Sequence, residues 1–157
     1  MGRLIIIAEA GVNHNGNISV AKKLIDVASK AKADYVKFQF YKTENLKKIK
    51  SKMADYQKKN FGKSISQYKL LKKYELKKKQ IEILKKYSKK RKIKFLCSVF
   101  DTESLRELFE LNIYDIKIPS GEINNFSLLE EISKKAKKIF VSSGMANLNG
   151  INDALRI

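Results

Sequence analysis

Two lysines stand inside runs of apolar residues, where a positive charge is costly unless an anion compensates for it. Lys37 lies in the run Tyr-Val-Lys-Phe-Gln-Phe, and Lys117 lies in Asp-Ile-Lys-Ile-Pro-Ser-Gly-Glu. If these runs are strands, alternate side chains point to opposite faces, so Lys37 and Gln39 share a face that Val36 does not. Two inward-facing ammonium groups predict a site for a small anion such as a phosphate or a carboxylate.

Further polar side chains follow or end the predicted strands. They are Glu9, Asn13, His14, Ser98, Ser120, Glu122, Ser142 and Ser143. Serine hydroxyls and backbone N–H groups would add directional hydrogen bonds to the anion. Alternatively, the lysines pair with Glu9 and Glu122 in a buried ion network, and both arrangements are compatible in a protein without its ligand.

The elements that must position these residues alternate along the whole chain. Short apolar runs predict strands at residues 4–8, 35–40, 93–98, 113–118 and 139–142, and amphipathic segments predict helices at 19–32, 76–91, 102–111 and 127–136, with another starting near Leu148. Such alternation is typical of βα units around a parallel sheet, and ligands of such folds bind at the carboxyl ends of the strands.

Two local patterns support the helices. Apolar residues of the first helix are spaced to form one stripe, comprising Val20, Leu24, Val27, Ala28 and Ala31. Asp101 and Asn125 precede helix starts and are suitable N-caps. Residues 41–74 interrupt the rhythm, because they are too many for an ordinary βα loop. This segment is either a functional loop or a disordered basic insertion.

The composition excludes some classes of protein and leaves others open. The 157 residues carry a formal charge of +18, but only four of the 34 basic residues are arginine, which favours solvated lysine-rich helix faces over a specific nucleic-acid surface. A basic polyanion-binding module without catalysis is the alternative. The single cysteine, Cys97, fits a reducing cytoplasm, and no apolar run is long enough to span a membrane.

Five motifs, in order and at strand ends, resemble those of the sialic acid synthases. They are Ile-Ala-Glu-Ala-Gly-Val-Asn-His-Asn-Gly at residues 7–16, Val-Lys-Phe-Gln at 36–39, Phe-Leu-Cys-Ser-Val-Phe-Asp at 95–101, Tyr-Asp-Ile-Lys-Ile-Pro-Ser-Gly-Glu at 114–122 and Ser-Ser-Gly-Met at 142–145. The chain departs from the family pattern at Cys97, Ser98 and Val99, where serine, threonine and proline are usual, yet Ser98 keeps a hydroxyl.

The resemblance implies a transferase that condenses phosphoenolpyruvate with N-acetylmannosamine or a related sugar and releases phosphate. By the same resemblance, phosphoenolpyruvate is held by Lys37, Gln39, Ser98, Lys117, Ser120 and Ser142. Glu9, Lys37 and Lys117 are the implied catalytic residues, and Glu122 and Asn60 the implied sugar contacts. The family uses a divalent metal, Mn²⁺ or Mg²⁺, whose ligands lie on later strands, so none is expected in this chain. We expect His14 to organise the first turn rather than to bind metal, although both roles remain open.

The resemblance also implies the fold. Residues 1–157 are expected to be the N-terminal part of a TIM (β/α)₈ barrel, with about five βα units, because a complete barrel needs about 250 residues. The second half-barrel and an antifreeze-like domain would be absent, as the product of a split gene or as one chain of a barrel completed in trans. The fragment alone is expected to be inactive, and full-length members to be homodimers. The alternatives within enzymes are an N,N'-diacetyllegionaminate synthase and a related keto-deoxy sugar acid synthase.

Overall fold

The computed structural model describes residues 3–46 and 67–157, and the side chain of Gln67 is not among the described groups. The described elements are β1 (Ile7–Gly11), α1 (Ile18–Lys30), β2 (Tyr35–Phe40), α2 (Thr43–Leu46), α3 (Gln67–Tyr74), α4 (Lys78–Lys90), β3 (Lys94–Val99), α5 (Thr102–Glu110), β4 (Asp115–Ile118), a 3₁₀ turn (Ser120–Glu122), α6 (Phe126–Ser133), β5 (Lys138–Val141) and α7 (Leu148–Leu155).

The five strands form one parallel sheet in the order β1-β2-β3-β4-β5. Each strand is followed by helical chain before the next one begins, as parallel neighbours require. Because the strands run in the same direction, their carboxyl ends all lie at one end of the sheet. The predicted alternation of βα units is therefore confirmed.

The hydrophobic core lies between one face of the sheet and the helices. Val36, Phe38 and Phe40 of β2 are fully buried and belong to the same cluster as Ile25 of α1 and Leu84 of α4. Lys37 and Gln39 alternate with these residues and therefore lie on the other face of the sheet. The face opposite the helices is thus the one that carries the polar strand residues.

The structure corrects two details of the expected elements. The first strand begins at Ile7, not at residue 4, since its pairing with β2 starts at Ile7 and Tyr35, and Leu4 is 79% exposed. Glu9 consequently lies within the strand rather than after it. In α1 the buried positions are Ala21, Ile25 and Ala28, whereas Val27 is exposed, so the predicted stripe was misplaced by about one residue.

The segment after β2 is partly helical. It contains the single turn α2 and the helix α3, which the sequence pattern did not separate from the surrounding loop. Helix α3 packs on the first turn of the chain, where a Cβ built on Gly16 would approach the carbonyl oxygen of Lys73 to 2.5 Å. Gly16 also has φ of +77°, so two independent constraints favour glycine there.

The β5 side of the sheet exposes apolar surface. Val141, Leu148 and Leu155 are among the exposed large hydrophobic side chains, and a cavity of about 460 Å³ lies between β4, β5, α6 and α7. Val141 and Leu155 also line this cavity, so the exposed side chains and the cavity form one continuous apolar surface rather than isolated apolar residues. Within the described ranges, no helix combines the length and the hydropathy needed to cross a membrane.

Candidate active site

The two lysines lie on the same face of the sheet. Gln39 pairs in register with Ser98, and Ser98 pairs with Lys117, so these three side chains share a face. Lys37 is two residues from Gln39 in the same strand and therefore shares that face as well. The structure brings together the two charges that the sequence placed in separate apolar runs.

Lys37 forms an ion pair with Glu9, the residue directly opposite it on β1. The lysine side chain is 13% exposed, whereas the glutamate is 53% exposed. Gly11 keeps this corner compact, since a Cβ there would lie 3.1 Å from Oε1 of Glu9 and 4.0 Å from Nε2 of Gln39. The carboxylate of Glu9, the amine of Lys37 and the amide of Gln39 thus surround one point at the end of β1 and β2.

Lys117 has a different environment. Its amine donates a hydrogen bond of 2.5 Å to the carbonyl oxygen of Ile118 and forms no ion pair with any described residue. The pKa of Lys117 is lowered to about 8, because burial and then the charge of Lys37 lower it while Glu9 partly opposes the change. A lysine of lowered pKa next to a second lysine is a position that an added anion would stabilise.

The serines lie at the carboxyl ends of β3, β4 and β5. Ser98 is buried within β3, Ser120 opens the 3₁₀ turn after β4, and Ser142 follows β5. The backbone N–H of Ser142 donates to the carbonyl oxygen of Ile118 over 3.1 Å, which continues the β4–β5 pairing as far as this serine. Three hydroxyls therefore stand at the same end of the sheet as Lys117.

Glu122 lies in the 3₁₀ turn and is only 8% exposed. Its Oε2 accepts a hydrogen bond of 2.9 Å from Nδ2 of Asn125. Burial raises the pKa of Glu122, the Asn125 hydrogen bond lowers it, and the nearby charge of Asp101 raises it. The expected ion network is therefore only half present. Lys37 forms an ion pair with Glu9, but Glu122 accepts a hydrogen bond from Asn125 and does not pair with Lys117.

His14 organises the first turn. The ring is fully buried, and its Nδ1 accepts a hydrogen bond of 3.0 Å from the backbone N–H of Gly16. Its Nε2 is buried without a hydrogen-bond partner among the described residues. Burial lowers the pKa of His14, which favours the neutral ring that the Gly16 contact requires.

Asp101 is a residue whose connections the sequence did not indicate. It was expected only to cap the helix after β3, and it does accept a hydrogen bond from the backbone N–H of Ser104. It also accepts from the backbone N–H of Lys42 and from Nδ2 of Asn45, which follow β2. The motif Phe-Asp at a strand end was the available signal, but the partners on another loop are visible only in the structure.

Two expectations concern groups that the described residues do not bring into the site. Asn60 lies outside the described residues. Within residues 3–46 and 67–157, no three histidine, cysteine, aspartate or glutamate side chains come close enough together to hold a metal ion. The described residues therefore do not fit a divalent metal, and a metal site would need ligands from elsewhere.

The fold and the polar strand ends together define an α/β protein of the (β/α)₈-barrel class, of which the described chain supplies five βα units. A solved structure of an N-acetylneuraminic acid (sialic acid) synthetase from Leptospira borgpetersenii, in complex with citrate, is similar with a TM-score of 0.82 and 33% identity. That similarity covers 99% of this chain and 50% of the other.

Sequence comparison identifies the family. The NeuB family model matches residues 24–157, and the chain belongs to that family. An N,N'-diacetyllegionaminic acid synthase from Campylobacter jejuni is 47% identical over all of this chain and 47% of its own length. An N-acetylneuraminate-9-phosphate synthase from mouse is 35% identical over 97% of this chain and 42% of its own length.

The chain thus spans about half the length of the curated relatives it matches. The matched half is their N-terminal portion, so the predicted resemblance and the predicted partial barrel are confirmed.

Proposed function

We propose that the protein to which this chain contributes condenses phosphoenolpyruvate with a 2-acetamido sugar to give a nonulosonic acid and phosphate. The observation that carries the proposal is the pair of lysines on one face of the parallel sheet. Lys117 has a pKa lowered to about 8 and makes no ion pair within the described residues. An anion between the amines of Lys37 and Lys117 would remove their mutual repulsion, which supports a doubly charged substrate.

The six proposed phosphoenolpyruvate contacts divide by chemistry. Lys37 and Lys117 supply charge to the phosphate and carboxylate groups, and Gln39, Ser98, Ser120 and Ser142 supply neutral hydrogen-bond donors. Preorganised donors of this kind stabilise charge without having to reorganise during the reaction. Their shared position at one end of the sheet supports a single pocket.

The proposed reaction forms a bond between carbon 3 of phosphoenolpyruvate and the aldehyde carbon of the sugar. Water then adds to the positively charged carbon 2, and phosphate leaves with cleavage of its C–O bond. Glu9 is the proposed catalytic carboxylate, because an anion beside carbon 2 would stabilise that positive charge and could accept a proton from the water. Glu122 is proposed to contact the sugar, and Asn60 is kept as a second sugar contact.

The sugar is proposed on the basis of the relatives. The Campylobacter jejuni relative at 47% identity is named for a product with two N-acetyl groups, whereas the mouse relative at 35% is named for N-acetylneuraminate 9-phosphate. This difference favours a sugar with two acetamido groups over N-acetylmannosamine. We therefore place N,N'-diacetyllegionaminate synthesis first and N-acetylneuraminate synthesis second.

Catalysis is proposed to need more than these 157 residues. The relatives are about twice as long, and the apolar surface beside β5 would be covered by further βα units of a barrel. The divalent metal, Mn²⁺ or Mg²⁺, and its ligands are assigned to that remaining half, as are an antifreeze-like domain and a homodimer contact. We keep the cytoplasm as the proposed compartment, since Cys97 is a buried free thiol.

Phosphate release tests this function. The 157-residue chain and a polypeptide of the relatives' full length would each be supplied with phosphoenolpyruvate, Mn²⁺ and either N-acetylmannosamine or its diacetamido counterpart. We expect turnover by the full-length polypeptide, faster with the diacetamido sugar, and none by the 157-residue chain. Robust turnover by the 157-residue chain would refute the need for the second half. If neither polypeptide turns over either sugar, the proposed reaction is refuted.

The non-catalytic alternative is tested with the same protein. A polyanion-binding module would bind nucleic acid with an affinity that falls steeply with salt and would ignore phosphoenolpyruvate. The proposed enzyme would bind phosphoenolpyruvate, and that binding would depend on Lys37 and Lys117.

A further inference from the structure

Asp101 makes more hydrogen bonds than its position before α5 requires. A helix N-cap needs one acceptor for one backbone N–H group. The carboxylate of Asp101, nine-tenths buried, accepts from the backbone N–H and the hydroxyl of Ser104, both at 2.8 Å, and from the backbone N–H of Lys42 and Nδ2 of Asn45, both at 3.1 Å. Two of its four donors therefore belong to the chain that follows β2.

The two carboxylate oxygens each join the helix to that chain. Oδ1 accepts from Ser104 N–H and from Asn45, while Oδ2 accepts from the Ser104 hydroxyl and from Lys42 N–H. Hydrogen bonds to a charged acceptor are stronger than those between neutral groups, and a buried carboxylate is costly unless it is satisfied in this way. Asp101 thus ties the start of α5 to α2.

Other contacts hold the same stretch of chain. The amine of Lys42 pairs with Glu107 of α5 over 2.8 Å, and the backbone N–H of Thr43 donates to Glu75 over 3.0 Å. Asp101 thus holds this stretch of chain together with Glu107 and Glu75, and it is the one of the three that directly follows β3.

Asp101 also lies next to the proposed substrate residues. It is three residues beyond Ser98, and Lys42 is three residues beyond Gln39, which pairs in register with Ser98. The charge of Asp101 is felt at Glu122, whose pKa it raises. One carboxylate thus joins α2 to α5 and acts electrostatically on the residue proposed to contact the sugar.

We infer that Asp101 is a positioning residue that fixes α2 to the start of α5 and thereby sets the affinity for the sugar rather than for phosphoenolpyruvate. This inference rests on the proposed function. Asp101 does not touch the proposed phosphoenolpyruvate contacts through any hydrogen bond described, so its loss should leave that pocket in place. The chain after β2, in contrast, loses its hydrogen bonds to the residue that caps α5.

The main variant is Asp101→Asn in the full-length enzyme. Asparagine keeps one oxygen for the Ser104 N–H cap and replaces the other with an NH₂ group, which is a donor facing the Lys42 N–H. We expect the KM for the sugar to rise about tenfold or more and the KM for phosphoenolpyruvate to stay within about twofold. Amide hydrogen exchange at Lys42 should accelerate, while exchange at Ser104 should not.

Two further variants keep the test decisive if Asp101→Asn folds poorly. Asn45→Ala removes one contact to Asp101, together with the Asn45 hydrogen bond to Glu103, and leaves the helix cap intact. It should raise the sugar KM in the same direction by less. Asp34→Asn is the matched control, because Asp34 also accepts a backbone N–H from a distant part of the chain, that of Ile6 at 2.9 Å, but at the amino ends of the strands. Asp34→Asn should lower stability without raising the KM for the sugar relative to the KM for phosphoenolpyruvate.

The outcomes are distinguishable. Equal increases in both KM values, or unchanged KM values despite faster exchange at Lys42, would overturn the positioning role while leaving the proposed function intact. A wild-type enzyme without turnover would instead overturn the proposed function and, with it, the assignment of Asp101 to the sugar.

Discussion

Binding of phosphoenolpyruvate should be accompanied by proton uptake at Lys117. Burial and the adjacent charge of Lys37 hold the pKa of Lys117 at about 8, compared with its ordinary value of 10.5. At pH 8 about half of these amines are therefore neutral in the free protein. A bound dianion favours the charged amine and moves its pKa back upward, so the neutral half must take up protons.

The magnitude follows from the same pKa. We expect uptake of about half a proton per site at pH 8, about 0.1 at pH 7 and about 0.9 at pH 9. The same lowered pKa also determines how the contribution of Lys117 to folding stability changes with pH. Because the folded pKa lies below the unfolded one, the unfolded chain binds more protons between about pH 8 and 10.5, and the contribution of Lys117 to stability rises with pH across that window.

Isothermal titration calorimetry in two non-phosphate buffers of different ionisation enthalpy measures the uptake directly. Lys117→Met should abolish the pH-dependent uptake and weaken binding about 10- to 100-fold, corresponding to the loss of about 1.5–3 kcal/mol for a hydrogen bond to a charged group. Lys23→Met, which removes an exposed lysine of α1, is the control for net charge and should change neither quantity. The reasoning is refuted if the wild type takes up no protons on binding phosphoenolpyruvate at pH 8, or if Lys117→Met takes up as many as the wild type.

The remaining predictions concern three residues of the first strand and its turn, Glu9, His14 and Gly16. Glu9→Gln removes the ion pair with Lys37 and should reduce kcat of the full-length enzyme far more than it weakens phosphoenolpyruvate binding, so equal losses in the two would contradict a catalytic role. His14→Ala should lower the free energy of unfolding by about 1–3 kcal/mol, measured by denaturant titration, because the partly buried N–H of Gly16 loses its acceptor. In the wild type the lowered pKa of His14 should make stability fall as pH drops below about 6.5, and a pH dependence identical to that of His14→Ala would argue against this. Gly16→Ala should lower the free energy of unfolding by about 1–3 kcal/mol, because Gly16 has a positive φ and a close contact with Lys73. Gly144→Ala is the control and should lower it little, since the space around Gly144 is open. Equal thermal stability of the two variants would contradict the packing of α3 on the turn.

The sequence predicted those features that depend on local chemistry. The strand at Tyr35–Phe40 was predicted with its correct bounds, since aromatic and β-branched residues fill it and polar residues follow it. Asp101 and Asn125 were predicted correctly as N-caps, because a short polar side chain before an amphipathic segment is a local signal. The shared face of Lys37 and Gln39 followed from the two-residue period of a strand.

Features that depend on packing partners could not be read from the sequence. In α1, Val20 and Leu24 have the same helical spacing as Ala21 and Ile25, and only contact with the sheet decides which pair is buried. The partner of Glu122 could not be predicted from the sequence either. Its carboxylate accepts from Asn125 rather than pairing with Lys117, and this depends on the geometry of the 3₁₀ turn. Asp101 lies 59 positions along the chain from Lys42, whose backbone N–H it accepts, and that separation is beyond the reach of any local pattern.

The most direct test of the anion site is a crystal structure of the protein with phosphoenolpyruvate. The account predicts ligand density on the polar face of the sheet, with its phosphate or carboxylate oxygens about 3 Å from the amines of both Lys37 and Lys117. Density at another place on the protein, with Lys37 still paired only to Glu9 and Lys117 still donating to the carbonyl oxygen of Ile118, would contradict it.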